Sequence, residues 1–370
     1  MKAVKHTPVS VQGHSPLIQF ALQRIQFLDK DGNWVSARPD FASDEWLVQS
    51  YQNMVLNRVF DNKAIALQRT GQMGTYPSSL GQEAFGTAIG MALQKDDVFV
   101  PYYRDHGAHL LRGHKMSDLL LYWGGDERGS ASGPKQDFPI CVPIATQITH
   151  AAGAAAALKI KGKEQLAVVT IGDGGTSKGD FFESLNVAGA WQLPLVVLVN
   201  NNQYAISVPR EIQCGAPTLA QKAIGAGIHG VQVDGNDVLA VYQAMLEARE
   251  RASEHKGATL IEAITYRLGD HTTADDASRY RHNEEVKEAW LNEPIKRLQN
   301  ALVTLNLWDS EKEKAWQSQC SDQVDMAVKE YLTIEKQSPE SMFDYLYQDW
   351  PEVMNEQLDL LADKVSRDKH

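Results

Sequence analysis

Two nearly uninterrupted, β-branched apolar runs stand out in the chain: Leu166-Ala167-Val168-Val169-Thr170-Ile171 and Leu195-Val196-Val197-Leu198-Val199. Runs of this length and character predict strands buried on both faces. Between them the apolar period lengthens to that of a helix. Asp180 is its candidate cap, Phe182, Leu185, Ala188 and Gly189 its packing face, and Pro194 its stop. Strand, helix and strand together predict a βαβ unit with parallel strands.

The same reading extends along the chain. Asp44 to Gln72 carries Trp46, Leu47, Tyr51, Met54, Val55, Val59, Phe60, Ala64 and Leu67 at helical spacing. A turn with Gly74 and Pro77 follows, then a helix around Gly86 and Gly90, whose glycines suit close helix packing. Asp97 to Val100 predicts a strand, and the Ala-rich stretch from His150 to Leu158 a tightly packed helix. Asn236-Asp237 caps a helix running to about His255, and Leu260 to Thr265 is the next strand. From Asn292 the chain is mostly helical, and its aromatics, Trp308, Trp316, Tyr331, Phe343, Tyr345, Tyr347 and Trp350, read as core or as a subunit interface.

The fold class that follows is α/β, a mostly parallel sheet flanked by helices, with helical N- and C-terminal extensions. The expected organisation is an arm over residues 1–40, a main domain over 41–291 and a helical extension over 292–370. With a net charge of −11 there is no basic footprint for nucleic acid or an anionic membrane. No apolar run is long enough to span a bilayer. The first nineteen residues lack both the apolar core of a secretion signal and the Arg-rich pattern of a mitochondrial presequence. Cys141, Cys214 and Cys320 have no metal-ligand spacing and are odd in number, which suits a reducing compartment. The cytoplasm is the expected location, and Cys141 reads as a small core residue.

The chemistry concentrates where the two strands end. Gly172-Asp173-Gly174 follows the first and Asn201-Asn202 the second. Parallel strands deliver both to one carboxyl edge, where open α/β sheets bind ligands. Asp173 offers a carboxylate oxygen, Asn202 an amide carbonyl and Tyr204 a main-chain carbonyl, a set that suits magnesium completed by phosphate oxygens and water. Gly172, Gly174 and Gly175 would let the backbone approach the phosphates.

Two further constellations fit a phosphorylated cofactor. Tyr103-Arg104 joins a hydroxyl donor to a planar guanidinium that can grip phosphate in two places, with a surface ion pair to Asp105 as the plainer alternative. His271 lies in the loop after the strand ending near Arg267, followed by Asp275, Asp276 and Tyr280-Arg281. An imidazole there could exchange a proton near neutrality, or be a solvated loop histidine.

The Gly-Asp-Gly motif, its spacer and the double Asn resemble the metal-binding motif of thiamine-diphosphate enzymes. Leu80-Gly81-Gln82-Glu83-Ala84, Pro101-Tyr102-Tyr103-Arg104-Asp105, Ile144-Ala145-Thr146-Gln147, Asn202-Gln203-Tyr204-Ala205-Ile206-Ser207, Val233-Asp234-Gly235-Asn236-Asp237 and Tyr266-Arg267-Leu268-Gly269-Asp270-His271-Thr272 follow in order. Together they resemble the α subunits of 2-oxo acid dehydrogenase E1 components over about residues 20–360. The resemblance implies a thiamine-diphosphate-binding fold and thiamine diphosphate with Mg2+ as cofactors. Asp173, Asn202 and Tyr204 would hold the metal, and Tyr103, Arg104, Gly174, Gly175, Ile206 and His271 would complete the cofactor site. Ile144 would be the apolar wedge that bends the cofactor, with the Val142 backbone near the aminopyrimidine. His271 is the implied catalytic residue.

The implied activity is decarboxylation of pyruvate and reductive acetylation of a lipoylated E2 acyltransferase, with branched-chain 2-oxo acids as the alternative substrate. The activating glutamate would come from an E1 β subunit in an α2β2 heterotetramer. A single-chain decarboxylase lacks room for its second half, and a silent structural subunit would be expected to lose Asp173, Asn202 or His271. Gln203 departs from relatives that carry Arg after the Asn pair, and Thr272 occupies the place of a regulatory phosphoserine in mitochondrial relatives.

Overall fold

The computed structural model describes residues 19–367. Six strands, β1 (Gln23–Ile25), β2 (Val98–Val100), β3 (Ala167–Gly172), β4 (Leu195–Asn201), β5 (His229–Asp234) and β6 (Thr259–Ile264), form one sheet. Their order is β1-β5-β6-β4-β3-β2, and every neighbouring pair is parallel. The register sets Gly172 beside Asn200, so the segments after β3 and β4 leave the sheet side by side.

Helices cover both faces of the sheet, which explains why its central strands read as apolar throughout. Val196 and Leu198 of β4 point into one core, Leu195, Val197 and Val199 into the other. The first core is closed by α1 (Asp44–Arg69), α2 (Glu83–Ala92), α7 (Val238–Ser253) and α8 (Pro294–Thr304). The second is closed by α5 (Thr146–Ile160) and α6 (Gly179–Ala190). A third cluster, including Phe60, Tyr76, Leu120 and Val328, joins α1 to α4 (Met116–Trp123) and α9 (Ser310–Thr333). Helix α3 (His106–Leu111) packs on α2 where a Cβ on Gly90 would lie 2.7 Å from the Leu111 Cβ, so the expected close approach is present.

Local signals mostly act as the sequence suggests. The Ser43 hydroxyl accepts from Trp46 N at 3.1 Å and caps α1. Asp237 caps α7 through Leu239 N, and its other oxygen accepts from Phe27 N and Leu28 N, tying the entering chain to the sheet edge. Helix α6 differs from expectation. It begins at Gly179 with no side-chain cap, Asp180 lies within its first turn, and Phe181, Ser184, Leu185 and Ala188 form the buried face while Phe182 is exposed. Both phenylalanines fit a helical period with Leu185, and the contact with the sheet selects Phe181. Gly189 serves a different contact, since a Cβ there would overlap the Ala226 carbonyl.

Within the arm expected over residues 1–40, residues 23–25 form the edge strand β1, paired with Val231 to Val233. Residues 1–18 lie outside the described residues. Trp308 and Phe343 are buried, whereas Tyr345, Tyr347 and Trp350 are exposed, which divides the C-terminal aromatics between core and surface. Among the described residues no helix is long and apolar enough to cross a membrane.

Candidate cofactor site

One cleft opens at the carboxyl edge of β2, β3, β4 and β6, with a volume of about 210 Å3. The chain after β2 brings Tyr103 and Arg104, and the segment before α5 brings Val142 and Ile144. Asp173, Gly174 and Gly175 follow β3, Asn202, Tyr204 and Ile206 follow β4, and His271 follows β6. All eleven residues singled out from the sequence therefore line the same space, although they come from five separate segments. Gln203 does not line it. Its side-chain amide folds back onto the Asn201 carbonyl at 3.0 Å.

Asp173 opens a 3-10 turn, Asp173–Ser177, and is 1 % exposed. Its Oδ2 is buried with no hydrogen-bond partner, and burial raises its carboxyl to about 6. Asn202 donates from Nδ2 to Gln82 Oε1 at 3.0 Å, which leaves its Oδ1 only a long 3.4 Å contact from Tyr204 N. The Tyr204 carbonyl accepts from Arg267 Nη1 at 3.3 Å, so one of its two lone pairs remains for another partner. Among the described residues no three His, Cys, Asp or Glu side chains cluster as a metal site. The oxygen set here has one carboxylate, one amide and one carbonyl. It fits a hard divalent cation that takes its other ligands from phosphate and water.

Packing alone demands glycine at two of these positions. A Cβ on Gly174 would sit 2.7 Å from the Ala205 Cβ, and one on Gly175 would sit 2.5 Å from Ile171 Cγ1. A Cβ on Gly172 would meet nothing closer than 4.0 Å, so packing does not require glycine there. Ala145, Gln203 and Ile206 adopt left-handed φ angles of 70°, 74° and 57°. For a β-branched residue such as Ile206 this conformation costs energy that the surroundings must hold in place, and such strain concentrates at functional sites.

Arg104 is buried and makes no surface ion pair with Asp105. It donates to the Ser78 carbonyl at 2.6 Å, the His271 carbonyl at 2.6 Å and His271 Nδ1 at 3.0 Å. Asp105 instead accepts from Tyr102 N and the Thr170 hydroxyl. Arg267 Nη1 lies 3.3 Å from the same His271 nitrogen. Burial, with these two guanidiniums, pushes the imidazole down to about 3, against a smaller opposing effect of Asp275. Two facing donors make Nδ1 the acceptor, so His271 is neutral with its proton on Nε2. With Nδ1 facing two guanidiniums and burial disfavouring the charged ring, Nε2 is the nitrogen left to face the cleft with a proton.

The loop carrying His271 is braced by its own network. His271 N donates to Asp275 Oδ2 at 2.8 Å, Tyr280 Oη donates to the same oxygen at 2.5 Å, and Arg267 Nη2 donates to Tyr280 Oη at 2.8 Å. Arg281 donates to the carbonyls of Arg267, Leu268 and Gly269. Cys141, expected in the core, is half-buried in the cleft wall, and burial pushes its thiol up.

The family model for the dehydrogenase E1 component matches residues 51–340, a span that contains every residue of the cleft. The chain belongs to the dehydrogenase E1 component family. It is 40% identical over 354 residues to a Staphylococcus epidermidis protein described as pyruvate dehydrogenase E1 component subunit alpha, covering 94% of this chain and 95% of that relative. A Staphylococcus aureus protein of the same description matches with the same identity and coverage. The E1 family depends on thiamine diphosphate. Two polar residues, Arg267 in the cleft wall and Gln82 behind Asn202, carried no expectation from sequence. Gln82 orients Asn202, and Arg267 binds the carbonyls of Tyr204 and Ile206 while facing His271. Both lie within quoted motifs, but no spacing rule separates them from their neighbours.

Proposed function

We propose that this chain is the α subunit of a pyruvate dehydrogenase E1 component that decarboxylates pyruvate and passes the acetyl group to a lipoylated E2. The observation that carries the reading is the buried Asp173 carboxylate, with one oxygen unpartnered, in the same cleft as Asn202, Arg104 and His271. The name shared by the staphylococcal relatives supports pyruvate over branched-chain 2-oxo acids.

Asp173, the Asn202 side chain and the Tyr204 carbonyl would hold Mg2+, and Arg104 with Tyr103 would hold the diphosphate. Arg267 is the second guanidinium lining the cleft, held by the Tyr204 and Ile206 carbonyls and the Tyr280 hydroxyl. Ile144 and Ile206, about half exposed at the cleft rim, would support the cofactor's rings, with the Val142 backbone beside them. Thiamine diphosphate, when bound, supplies the nucleophilic carbon and the electron sink for loss of carbon dioxide. His271, neutral and held by Arg104 and Arg267, would present its Nε2 proton to the oxygen of the reacting 2-oxo acid. Such a donor stabilises charge that develops there without itself having to titrate.

An E1 β subunit would complete the site, in an α2β2 assembly. Supporting this, α6 and its end expose Phe182, Val187 and Trp191, and neighbouring α5 ends in Ile160, 80 % exposed. Apolar surface of this kind marks an interaction face. The proposed setting is the cytoplasm. The test is steady-state oxidation of pyruvate, 3-methyl-2-oxobutanoate and 4-methyl-2-oxopentanoate by the reconstituted complex. Preference for pyruvate is the expected result, and preference for a branched substrate would reassign it.

A further inference from the structure

A second compartment of about 290 Å3 adjoins the cleft, and its walls are almost wholly apolar. It shares Tyr103, Val142, Ile144 and His271 with the cleft, and Thr75, Pro77, Trp123 and Thr272 supply its other sides. Whatever reacts beside His271 therefore has one direction in which only hydrocarbon is well accommodated.

Trp123 is the least movable part of this wall. It ends α4, and its ring stacks on His106 at 6.2 Å with an interplanar angle of 7° and meets Tyr76 edge-on at 5.9 Å. His106 and Tyr76 are themselves buried, and Tyr76 donates to the buried Asp61 at 3.0 Å. The Trp123 carbonyl accepts from Gly74 N at 3.1 Å, and a Cβ on Gly74 would come within 2.7 Å of that oxygen. Swinging the indole aside would disturb this whole stack. Its Nε1 is buried without a partner, so no hydrogen bond explains its presence. Thr75, which also lines the compartment, is exposed and small.

We propose that this compartment receives the alkyl substituent of the 2-oxo acid and that Trp123 is a specificity-determining residue, limiting the length and branching of that substituent. The inference rests on the 2-oxo acid reading above. A 2-oxo acid presents its carboxylate and oxo oxygens to polar groups, which leaves the alkyl end to be desolvated, and the space bounded by Trp123 meets that need. The indole, held in its stack on His106, forms a fixed wall that limits how far an alkyl chain can extend into this space. Discrimination by shape in an apolar pocket is typically about 10- to 200-fold per methylene.

The experiment uses the complex reconstituted with its β subunit, Mg2+ and thiamine diphosphate. Initial rates are measured on pyruvate, 2-oxobutanoate, 3-methyl-2-oxobutanoate and 4-methyl-2-oxopentanoate, with both an artificial electron acceptor and a lipoyl domain. Trp123→Leu should raise kcat/KM for the branched acids relative to pyruvate by about tenfold or more. Thr75→Leu, at an exposed position, should lower the same ratio and keeps the inference testable if Trp123→Leu fails to assemble. Cofactor affinity should be unchanged in both. An unmoved ratio in the assembled variants overturns the proposal. So does a defect confined to the lipoyl domain, which would assign the compartment to the acceptor arm. A wild-type complex inert on the whole panel, despite binding thiamine diphosphate, would instead refute the underlying 2-oxo acid reading and this inference with it.

Discussion

Asp173→Asn should relieve a pH-dependent strain in the metal-free chain while destroying its response to Mg2+. The carboxyl is 1 % exposed, one oxygen has no partner, and burial raises it from 3.8 to about 6. As pH rises the unfolded chain therefore loses this proton first, and between these values the folded chain holds more protons than the unfolded one. Stability falls across that window and the penalty is complete above it. Integrating between the two values gives a penalty of about 1 kcal/mol at pH 4.5 and about 3 kcal/mol at pH 7.5. Asparagine has no charge to desolvate, but its amide brings unmet hydrogen bonds of its own, at about 1–3 kcal/mol. That second cost is the same at both pH values, so the difference between them isolates the carboxylate. Urea unfolding of wild type and variant without metal should show the variant gaining about 2 kcal/mol relative to wild type on going from pH 4.5 to pH 7.5. With Mg2+ and thiamine diphosphate at pH 7.5 only wild type should be further stabilised, because ligand that binds the folded state alone stabilises it by mass action. An equal effect of the substitution at both pH values, or a variant that keeps its Mg2+-dependent stabilisation, would refute the reasoning.

Further outcomes are expected at neighbouring positions. His271→Ala should keep thiamine diphosphate and assemble, yet lose about 10²–10³-fold in pyruvate turnover; wild-type kcat should show no His271 ionisation between pH 5 and 8, and near-wild-type turnover in the variant would remove the residue from the mechanism. Tyr204→Phe should retain Mg2+ affinity, since its proposed ligand is the carbonyl, and should lose only about 1 kcal/mol of stability with the hydroxyl contact to Glu285; metal titration and urea unfolding separate the two. Gly175→Ala forces a methyl to 2.5 Å from Ile171 Cγ1 and should cost about 1–3 kcal/mol, read as a lower unfolding midpoint. His106 is 2 % exposed and pushed down to about 4 by burial. Because its folded value lies below the unfolded 6.5, stability that is present above pH 6.5 should drain away as pH falls towards 4, by about 3 kcal/mol in all. His106→Phe should flatten that part of the stability profile.

The βαβ unit and its site were legible because they rest on local signals. Unbroken β-branched runs specify β3 and β4, parallel pairing follows from the intervening helix, and Asp173 and Asn202 must then emerge together. Contacts across the fold were not legible in the same way. Nothing within the Phe181-Phe182 pair says which ring meets the sheet. Strand β1 is three residues long and partly exposed, so only its pairing with Val231 to Val233 reveals it. The neutral state of His271 depends on Arg104, 167 residues away in sequence, and Arg104 is itself held by the Ser78 carbonyl. Cys141 looked like core because a small apolar residue usually is, yet the chain there turns along the cleft.

The central claim is that this chain carries the metal and diphosphate half of a divided site. It is tested most directly by measuring carbon dioxide release from pyruvate, with Mg2+ and thiamine diphosphate, by the chain alone, by a β subunit alone and by the two together. The account predicts release only from the mixture, in proportion to the assembled complex. Sustained decarboxylation by the chain alone, shown free of β subunit, would contradict it.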